Sequence, residues 1–151
     1  MRKPYFPHSD IPPLTATAQR TIRFQEVDMM TIAWHGHFIS FFEDARVALG
    51  EKYGIGYMDL YEKGIMAPIK TAHVDFVRPL KFRDKISIEA RLHYSPAARM
   101  NSDYIVRNAQ GKVAATGYII QMLLTPEYEV YLTQPPHYQA FCEQWKAGKL
   151  Q

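Results

Sequence analysis

The chain has 151 residues, of which 47% are hydrophobic and 22% are charged. These values are ordinary for one globular domain that is large enough to bury a core. The net charge of +3 is too small to indicate nucleic-acid binding, and no apolar run reaches the roughly 20 residues of a membrane span. The single cysteine, Cys142, excludes an internal disulfide. With no secretory leader recognisable, the expected location is the reducing cytoplasm.

The N-terminal segment, residues 1–17, contains four prolines and is predicted to be an extended arm on the surface. Residues 18–151 are predicted to form a single domain. This domain begins with a short strand at residues 20–24, where apolar and polar side chains alternate. An acidic turn at residues 25–31 follows the strand and leads towards the first helix.

A long helix is predicted from Phe38 to Tyr53, because apolar residues recur there at spacings of three and four. Further apolar residues widen this stripe, which indicates a helix that is buried on more than one side. Gly54 stands where a left-handed C-terminal cap is expected. The remaining, polar face of the helix is assigned to Glu43, Asp44, Arg46 and Glu51.

The second half of the chain alternates between apolar and polar residues, which is typical of strands. One sheet wrapped around one helix is the simplest packing of these parts, so the predicted fold class is α+β. Such a sheet leaves open edges, so a homodimer or homotetramer is expected. Strands are predicted at residues 66–77, 85–94, 100–107 and 112–125, a short edge strand at residues 128–132, and a final amphipathic helix at residues 137–147.

Three motifs follow one another early in the chain: Arg-Phe-x-Glu-x-Asp at residues 23–28, Trp-His-x-x-Phe at residues 34–38 and Phe-Glu-x-Ala-Arg at residues 42–46. Together they resemble the signature of hotdog-fold acyl thioesterases of the 4-hydroxybenzoyl-CoA thioesterase type. The resemblance weakens further along, and it leaves out the arm and the last helix. It implies a hotdog fold, in which one antiparallel sheet wraps around a central helix. It also implies acyl-CoA thioesterase activity without a cofactor.

By position, the resemblance makes Asp28 the catalytic carboxylate, and it makes the backbone N–H of His35 the group that polarises the thioester carbonyl. The residues suit this chemistry, because a carboxylate can activate water or attack the carbonyl, and a helix start offers unpaired N–H donors. Met29, Met30 and Trp34 are expected to shield Asp28 from water. The residues expected to contact the substrate are Trp34, Gly36, His37, Thr71 and Arg99.

Other roles stay open for several of these residues. Asp28 could be only a turn or helix-capping residue, and the His35 side chain could act as a catalyst or simply pack. No third ligand is spaced with His35 and His37, so no metal site is predicted. Glu43 is the runner-up base, and pairing with Arg46 or packing at a subunit contact is the simpler role for it.

The bend before the helix departs from the family pattern, which usually has glycine where Thr31 stands, so a different local backbone is expected there. The expected substrate is a thioester of coenzyme A or of acyl carrier protein. A module that binds acyl thioesters without hydrolysing them is the alternative function, and a carboxylate in an apolar turn argues against it. The basic residues that could meet substrate phosphates, or could simply be solvated, are Arg78, Lys81, Arg83, Lys85 and Arg99.

Overall fold

The computed structural model describes residues 3–150, which form one five-stranded sheet and three helices. In chain order the elements are β1 (Leu14–Thr21), α1 (Phe38–Tyr53), α2 (Tyr57–Tyr61), β2 (Ile69–Phe76), β3 (Lys85–His93), β4 (Arg99–Arg107), β5 (Val113–Met122) and α3 (Pro136–Lys146), with 3-10 turns at Phe24–Glu26 and His35–His37. The strands lie in the order β1-β3-β4-β5-β2, and every neighbouring pair is antiparallel. This arrangement confirms the predicted hotdog fold.

The core lies between α1 and the inner face of the sheet. The predicted apolar stripe of α1 is buried, and Gly54 has the left-handed φ of 71° that ends the helix. Phe42 stacks on Tyr104 of β4, with ring centroids 4.7 Å apart. A Cβ at Gly117 of β5 would stand 2.6 Å from the Phe42 ring. Glycine at this position therefore lets the helix approach the sheet closely.

Several predicted boundaries are wrong by a few residues, and prolines explain two of them. β1 covers Leu14–Thr21 rather than the predicted residues 20–24; it begins directly after two prolines, so the last four residues of the predicted arm belong to the sheet. β2 begins at Ile69 rather than at residue 66, because Pro68 has no N–H to donate to the ladder. In place of the predicted edge strand at residues 128–132 there is an isolated bridge between Leu124 and Val130.

Arg46 is not on a polar face of α1, as predicted, but is buried with 1% of its surface exposed. Its Nη2 donates to the Ile55 carbonyl oxygen at 2.9 Å, and its Nε donates to Oε1 of Gln121 at 3.3 Å. The guanidinium also lies 5.0 Å from the centre of the Tyr57 ring. These contacts join α1 to α2 and β5, so Arg46 serves the core rather than the surface.

The arm covers part of the outer face of the sheet, which α1 leaves open, and α3 packs against the core, where the Trp145 ring lies 5.4 Å from that of Tyr94. Tyr5 donates to Oδ2 of Asp75 at 2.6 Å, and Phe6 packs against His93 with ring centroids 5.2 Å apart. At the end of the arm, the Pro12 carbonyl accepts a 2.8 Å hydrogen bond from Nε1 of Trp145 in α3. The two terminal segments thus contact each other as well as the sheet. None of the helices in the described residues is long and apolar enough to cross a membrane.

Candidate active site

Asp28 lies at the start of a tight hairpin loop that is closed by a bridge between Val27 and Ala33. The N–H of Thr31 donates to the Asp28 carbonyl at 2.9 Å, and the N–H of Met30 donates to the Oδ1 atom of Asp28 at 2.8 Å. The side chain therefore accepts from its own loop through one carboxylate oxygen. Asp28 is half-buried, and its carboxylate is held in a fixed orientation by the loop.

Thr31 completes this loop with a φ of 63°, in the left-handed region that favours glycine. A different local backbone was expected because threonine stands where the resembling family usually has glycine. Thr31 instead holds a conformation that glycine would adopt freely, and a β-branched residue is strained there. A type I turn followed by a left-handed residue is a common way to close a three-residue hairpin loop.

The start of α1 supplies backbone donors close to Asp28 in sequence. In the turn His35–His37, the N–H of His37 donates to the Trp34 carbonyl at 3.0 Å, and the N–H of Phe38 donates to the carbonyl of His35. The N–H groups of His35 and Gly36 have no backbone acceptor among residues 3–150. They are the unpaired donors expected at a helix start, together with its partial positive charge.

Asp28 and His35 both line one cleft of about 440 Å³. The cleft is lined mostly by apolar side chains with a few polar groups, as in small-molecule sites. The Phe38 and Phe76 rings meet edge to face at 5.0 Å, which joins the helix start to the end of β2. The other lining residues are Met30, Ile32, Ala33, Val77, Arg78, Pro79 and Leu80.

Glu26, for which the sequence indicated no role, holds the chain segment that leads into the Asp28 loop. It is 7% exposed, forms an ion pair with Nη2 of Arg20, and accepts from the N–H of Arg23 at 2.8 Å. The Nη1 atom of Arg20 also contacts Asp44 of α1 at 2.7 Å. Burial opposes the charge of Arg20, but the hydrogen bonds to Asp44 and Glu26 outweigh it and raise the arginine pKa. The only signal in the sequence was an acid two residues before Asp28 with an arginine six residues before that acid.

The shielding of Asp28 by Met29, Met30 and Trp34 is not found in the single chain. Met29 is fully exposed, Met30 is 69% exposed and Trp34 is 44% exposed. Their side chains stand out from the hairpin loop and the helix start rather than over the carboxylate, although Met30 also forms part of the cleft wall. The prediction failed because apolar neighbours in sequence need not lie over a residue in space.

The residues predicted to contact substrate fall into two groups. Trp34, Gly36 and His37 lie at the helix start with His35, and the Trp34 ring packs against both histidines, with centroids 4.9 and 5.4 Å away. Thr71 pairs with Ile120 and Arg99 pairs with Met122, towards the end of the sheet away from the cleft. The single chain does not bring these two residues to Asp28.

Glu43, the runner-up base, does not pair with Arg46, as was thought simplest. Its carboxylate accepts from the Tyr57 hydroxyl at 2.8 and 3.1 Å. Partial burial and the Glu43 carboxylate raise the pKa of Tyr57 to about 12, so the phenol stays a hydrogen-bond donor at neutral pH.

Burial raises the pKa of the Cys142 thiol to about 11, which leaves little thiolate for nucleophilic attack. No cluster of three potential metal ligands occurs among residues 3–150.

A family model described as the thioesterase-like superfamily matches residues 22–126. The chain belongs to this superfamily. The match begins just before the Asp28 loop and ends after β5, so it contains the whole cleft. The N-terminal arm and α3 of this thioesterase-like protein lie outside the matched region.

Similar proteins include YneP of Bacillus subtilis (strain 168), a proposed acyl-CoA thioesterase, which is 23% identical over 62% of this chain and 67% of its own length. Among solved structures, the DHNA-CoA thioesterase from Staphylococcus aureus has a TM-score of 0.79 at 20% identity, covering 88% of this chain and 91% of that one. A 1,4-dihydroxy-2-naphthoyl-CoA thioesterase from Synechocystis has a TM-score of 0.74 at 18% identity, covering 85% and 95%. At these identities the structural likeness shows the shared fold.

Proposed function

We propose that this protein hydrolyses acyl thioesters of coenzyme A or of acyl carrier protein to the free acid and the thiol. The observation that carries the proposal is the presence of a carboxylate, Asp28, and the start of α1 in the same apolar cleft. Membership of the thioesterase-like superfamily supports it, as do the relatives whose names describe CoA thioesterases. Within the superfamily, the motifs at residues 23–46 favour the 4-hydroxybenzoyl-CoA thioesterase type.

In the proposed reaction, the thioester carbonyl oxygen accepts hydrogen bonds from the N–H groups of His35 and Gly36, whose donors have no backbone acceptor in the described chain. These groups stabilise the negative charge that develops on this oxygen. Asp28 either takes a proton from an attacking water or attacks the carbonyl carbon to form an anhydride that water then cleaves. The C–S bond breaks, and the thiolate leaves and takes up a proton. A thiolate leaves readily, so the cleft needs no dedicated strong acid.

One contact favours the second candidate, a module that binds acyl thioesters without hydrolysing them. The Oδ1 atom of Asp28 accepts from the Met30 N–H, so the carboxylate has a structural role that requires no catalysis. Asparagine keeps this acceptor oxygen but is a poor base and a poor nucleophile. Replacing Asp28 by asparagine therefore separates the two functions.

The test is turnover of a panel of acyl-CoA thioesters, with the released thiol measured by a thiol reagent. Asp28→Asn is expected to lower kcat by roughly a hundred- to ten-thousand-fold, the usual contribution of a general base. Asp84→Asn is the matched control, because Asp84 also accepts a backbone N–H within a turn, from Lys81 at 2.7 Å, and does not line the cleft. Near-normal turnover of Asp28→Asn would overturn the assignment of Asp28. Absence of turnover in the unmodified protein would favour the binding module.

We also infer a homodimer built on the edge of β2. The other sheet edge, β1, is partly covered, since the Thr15 carbonyl accepts from Nζ of Lys52 at 2.9 Å. Along β2, Ile69 and Phe76 are 42% and 56% exposed, which is unusual for large apolar residues on a free strand edge. Antiparallel pairing of two β2 strands about a two-fold axis would bring the start of the partner's β2, which includes Thr71, towards the cleft at Phe76. This pairing would give Thr71 the substrate contact predicted for it.

A further inference from the structure

Two exposed aromatic rings, Phe24 and Phe82, form a pair on the surface beside the Asp28 loop. Their ring centroids lie 5.8 Å apart, and the rings meet edge to face. Phe24 is 75% exposed and Phe82 is 47% exposed, and neither lines the cleft. Folding alone does not explain such a pair, because the apolar surface of both rings stays largely exposed to water in the folded chain. It leaves water only when another molecule covers it.

The backbone holds this pair in place. Ile22 donates to the Asp84 carbonyl and Arg83 donates to the Ile22 carbonyl, both at 2.9 Å, so the β1–β3 ladder continues past the strand ends. Phe82 and Arg83 occupy the tip of the turn between Lys81 and Asp84, and Arg83 takes a φ of 74° there. Ile22 is itself buried at 1% exposure. The rings therefore project from a fixed part of the fold rather than from a loose loop.

Four cationic residues lie close to the two aromatic residues in sequence. Arg23 and Arg83 are adjacent to them in sequence, Lys81 and Lys85 flank the same turn, and all four side chains are exposed. None of the four takes part in an ion pair within residues 3–150. Of the nearby acids, Glu26 is paired with Arg20, whereas Asp84 accepts only a backbone N–H, from Lys81, and keeps its charge, so the four cations still outnumber the unpaired acid. The surface around the rings is therefore positively charged.

Aromatic residues with arginine are the groups most enriched at protein interfaces, whereas small-molecule sites are concave. The ring pair projects from the surface, so its shape suits a protein more than a nucleotide. The unpaired cations require that protein to be acidic, since complementary charge guides and orients association. Of the two substrates considered for the cleft, acyl carrier protein is a protein and coenzyme A is not.

We propose that Phe24, Phe82 and the neighbouring cations Arg23, Lys81, Arg83 and Lys85 form a docking surface for an acidic acyl carrier protein. The inference rests on the proposed thioesterase function and names its substrate donor. The docking surface begins at Arg23, five residues before Asp28, on the chain segment that leads into the catalytic loop. A carrier protein seated there presents its acylated arm to the cleft, and the phosphates of free coenzyme A play no part in docking.

The first experiment measures binding rather than turnover, so that it stands even if hydrolysis fails. Holo-acyl carrier protein, with its free pantetheine thiol, is titrated into the unmodified protein and the variants by calorimetry. Arg23→Glu/Arg83→Glu is expected to raise the Kd by at least about tenfold, and Phe24→Ser by a similar factor. Lys112→Glu/Lys146→Glu, an equal charge change at two exposed lysines elsewhere, is the matched control and should change the Kd by less than about twofold.

The second experiment compares hydrolysis of one acyl group on the two donors. The docking variants should raise KM for the acyl carrier protein about tenfold with little change in kcat, and leave the acyl-CoA kinetics within about twofold. Equal losses on both donors would assign the cations to the nucleotide phosphates and overturn the proposal. Failure of the unmodified protein to bind the carrier protein would also overturn it, whereas binding without hydrolysis of either donor would count only against the thioesterase function. Circular dichroism of each variant confirms folding, which the exposure of all these side chains favours.

Discussion

The indole ring of Trp34 lies against the backbone of Gly36, so closely that a Cβ added to Gly36 would stand 2.1 Å from a ring carbon. The same ring packs against both His35 and His37. Gly36 has no positive φ, so its role is to leave space and not to permit an unusual backbone. The contact fixes the turn whose N–H groups are proposed to bind the thioester oxygen.

Gly36→Ala is therefore expected to push the Trp34 ring, which is 44% exposed, into a less favourable rotamer, to lower the free energy of unfolding by about 0.5–1.5 kcal/mol, and to lower turnover by disturbing the turn. In the Trp34→Ala background, the same substitution should cost much less, because the ring that clashes with the new methyl group is gone. Thermal unfolding and kcat are measured for the unmodified protein, the two single variants and the double variant, which together form a double-mutant cycle. Additive effects of the two substitutions would show that the ring does not fix the turn.

Much of the architecture could be predicted from sequence, because local patterns carry it. The helix from Phe38 to Tyr53 was predicted at both ends, since its apolar spacing and the terminal Gly54 are local signals. The four later strands were found for the same reason, with errors near Pro68 and at the ends of β5. Strand ends depend on where the partner strand stops, which the local pattern does not contain.

The candidate site was predictable only in part. Asp28 and His35 were singled out, and the fold brings both to one cleft. Glu26 and Arg46 were missed as buried charges, because each is stabilised by partners distant in sequence or in another element. Periodicity places a charged residue at the surface by default, and only tertiary contacts can override that rule.

Thr31→Gly is expected to stabilise the protein. Threonine at a φ of 63° carries strain of about 1–2 kcal/mol, and the greater freedom of glycine in the unfolded chain offsets part of the relief. A net gain of about 0.5–1 kcal/mol in the free energy of unfolding should result, measured by denaturant titration. Thr133→Gly, at an exposed loop position without positive φ, is the control and should lose stability. A loss of the same size at both positions would mean that Thr31 carries no strain.

Asp103, on the outer face of β4, should make stability depend on pH. Burial works to raise its pKa, but hydrogen bonds from His93, at 2.8 Å, and from Arg91 outweigh burial and lower the pKa below the ordinary value near 3.8. A lowered pKa in the folded state contributes stability that is present above the unfolded value and is lost as the pH falls through the folded value. The contribution should therefore be complete near neutral pH and decline in strongly acidic solution, below the ordinary carboxyl value.

Asp103→Asn is accordingly expected to cost about 2 kcal/mol at pH 7, less than a fully buried ion pair because Arg91 is partly exposed. The difference in the free energy of unfolding between the variant and the unmodified protein should narrow below about pH 4. Asp10→Asn, at a fully exposed carboxylate, serves as the control and should change little at any pH. A difference that stays constant down to pH 2 would contradict the lowered pKa.

The proposed dimer can be tested by placing like charges on the two sheet edges in turn. Ala72 is exposed in the middle of β2, so in a two-fold pairing of β2 strands two Ala72→Glu side chains would lie close together and repel. The unmodified protein is expected to be a dimer in light scattering at micromolar concentration, and Ala72→Glu is expected to dissociate it. Thr17→Glu, at an exposed position of the opposite edge strand β1, is the matched control and should remain dimeric.

Dissociation by Thr17→Glu alone would move the interface to β1, and a monomeric unmodified protein would refute the dimer. If Ala72→Glu also raises KM as it dissociates the dimer, the partner's β2, with Thr71, contributes to the substrate site.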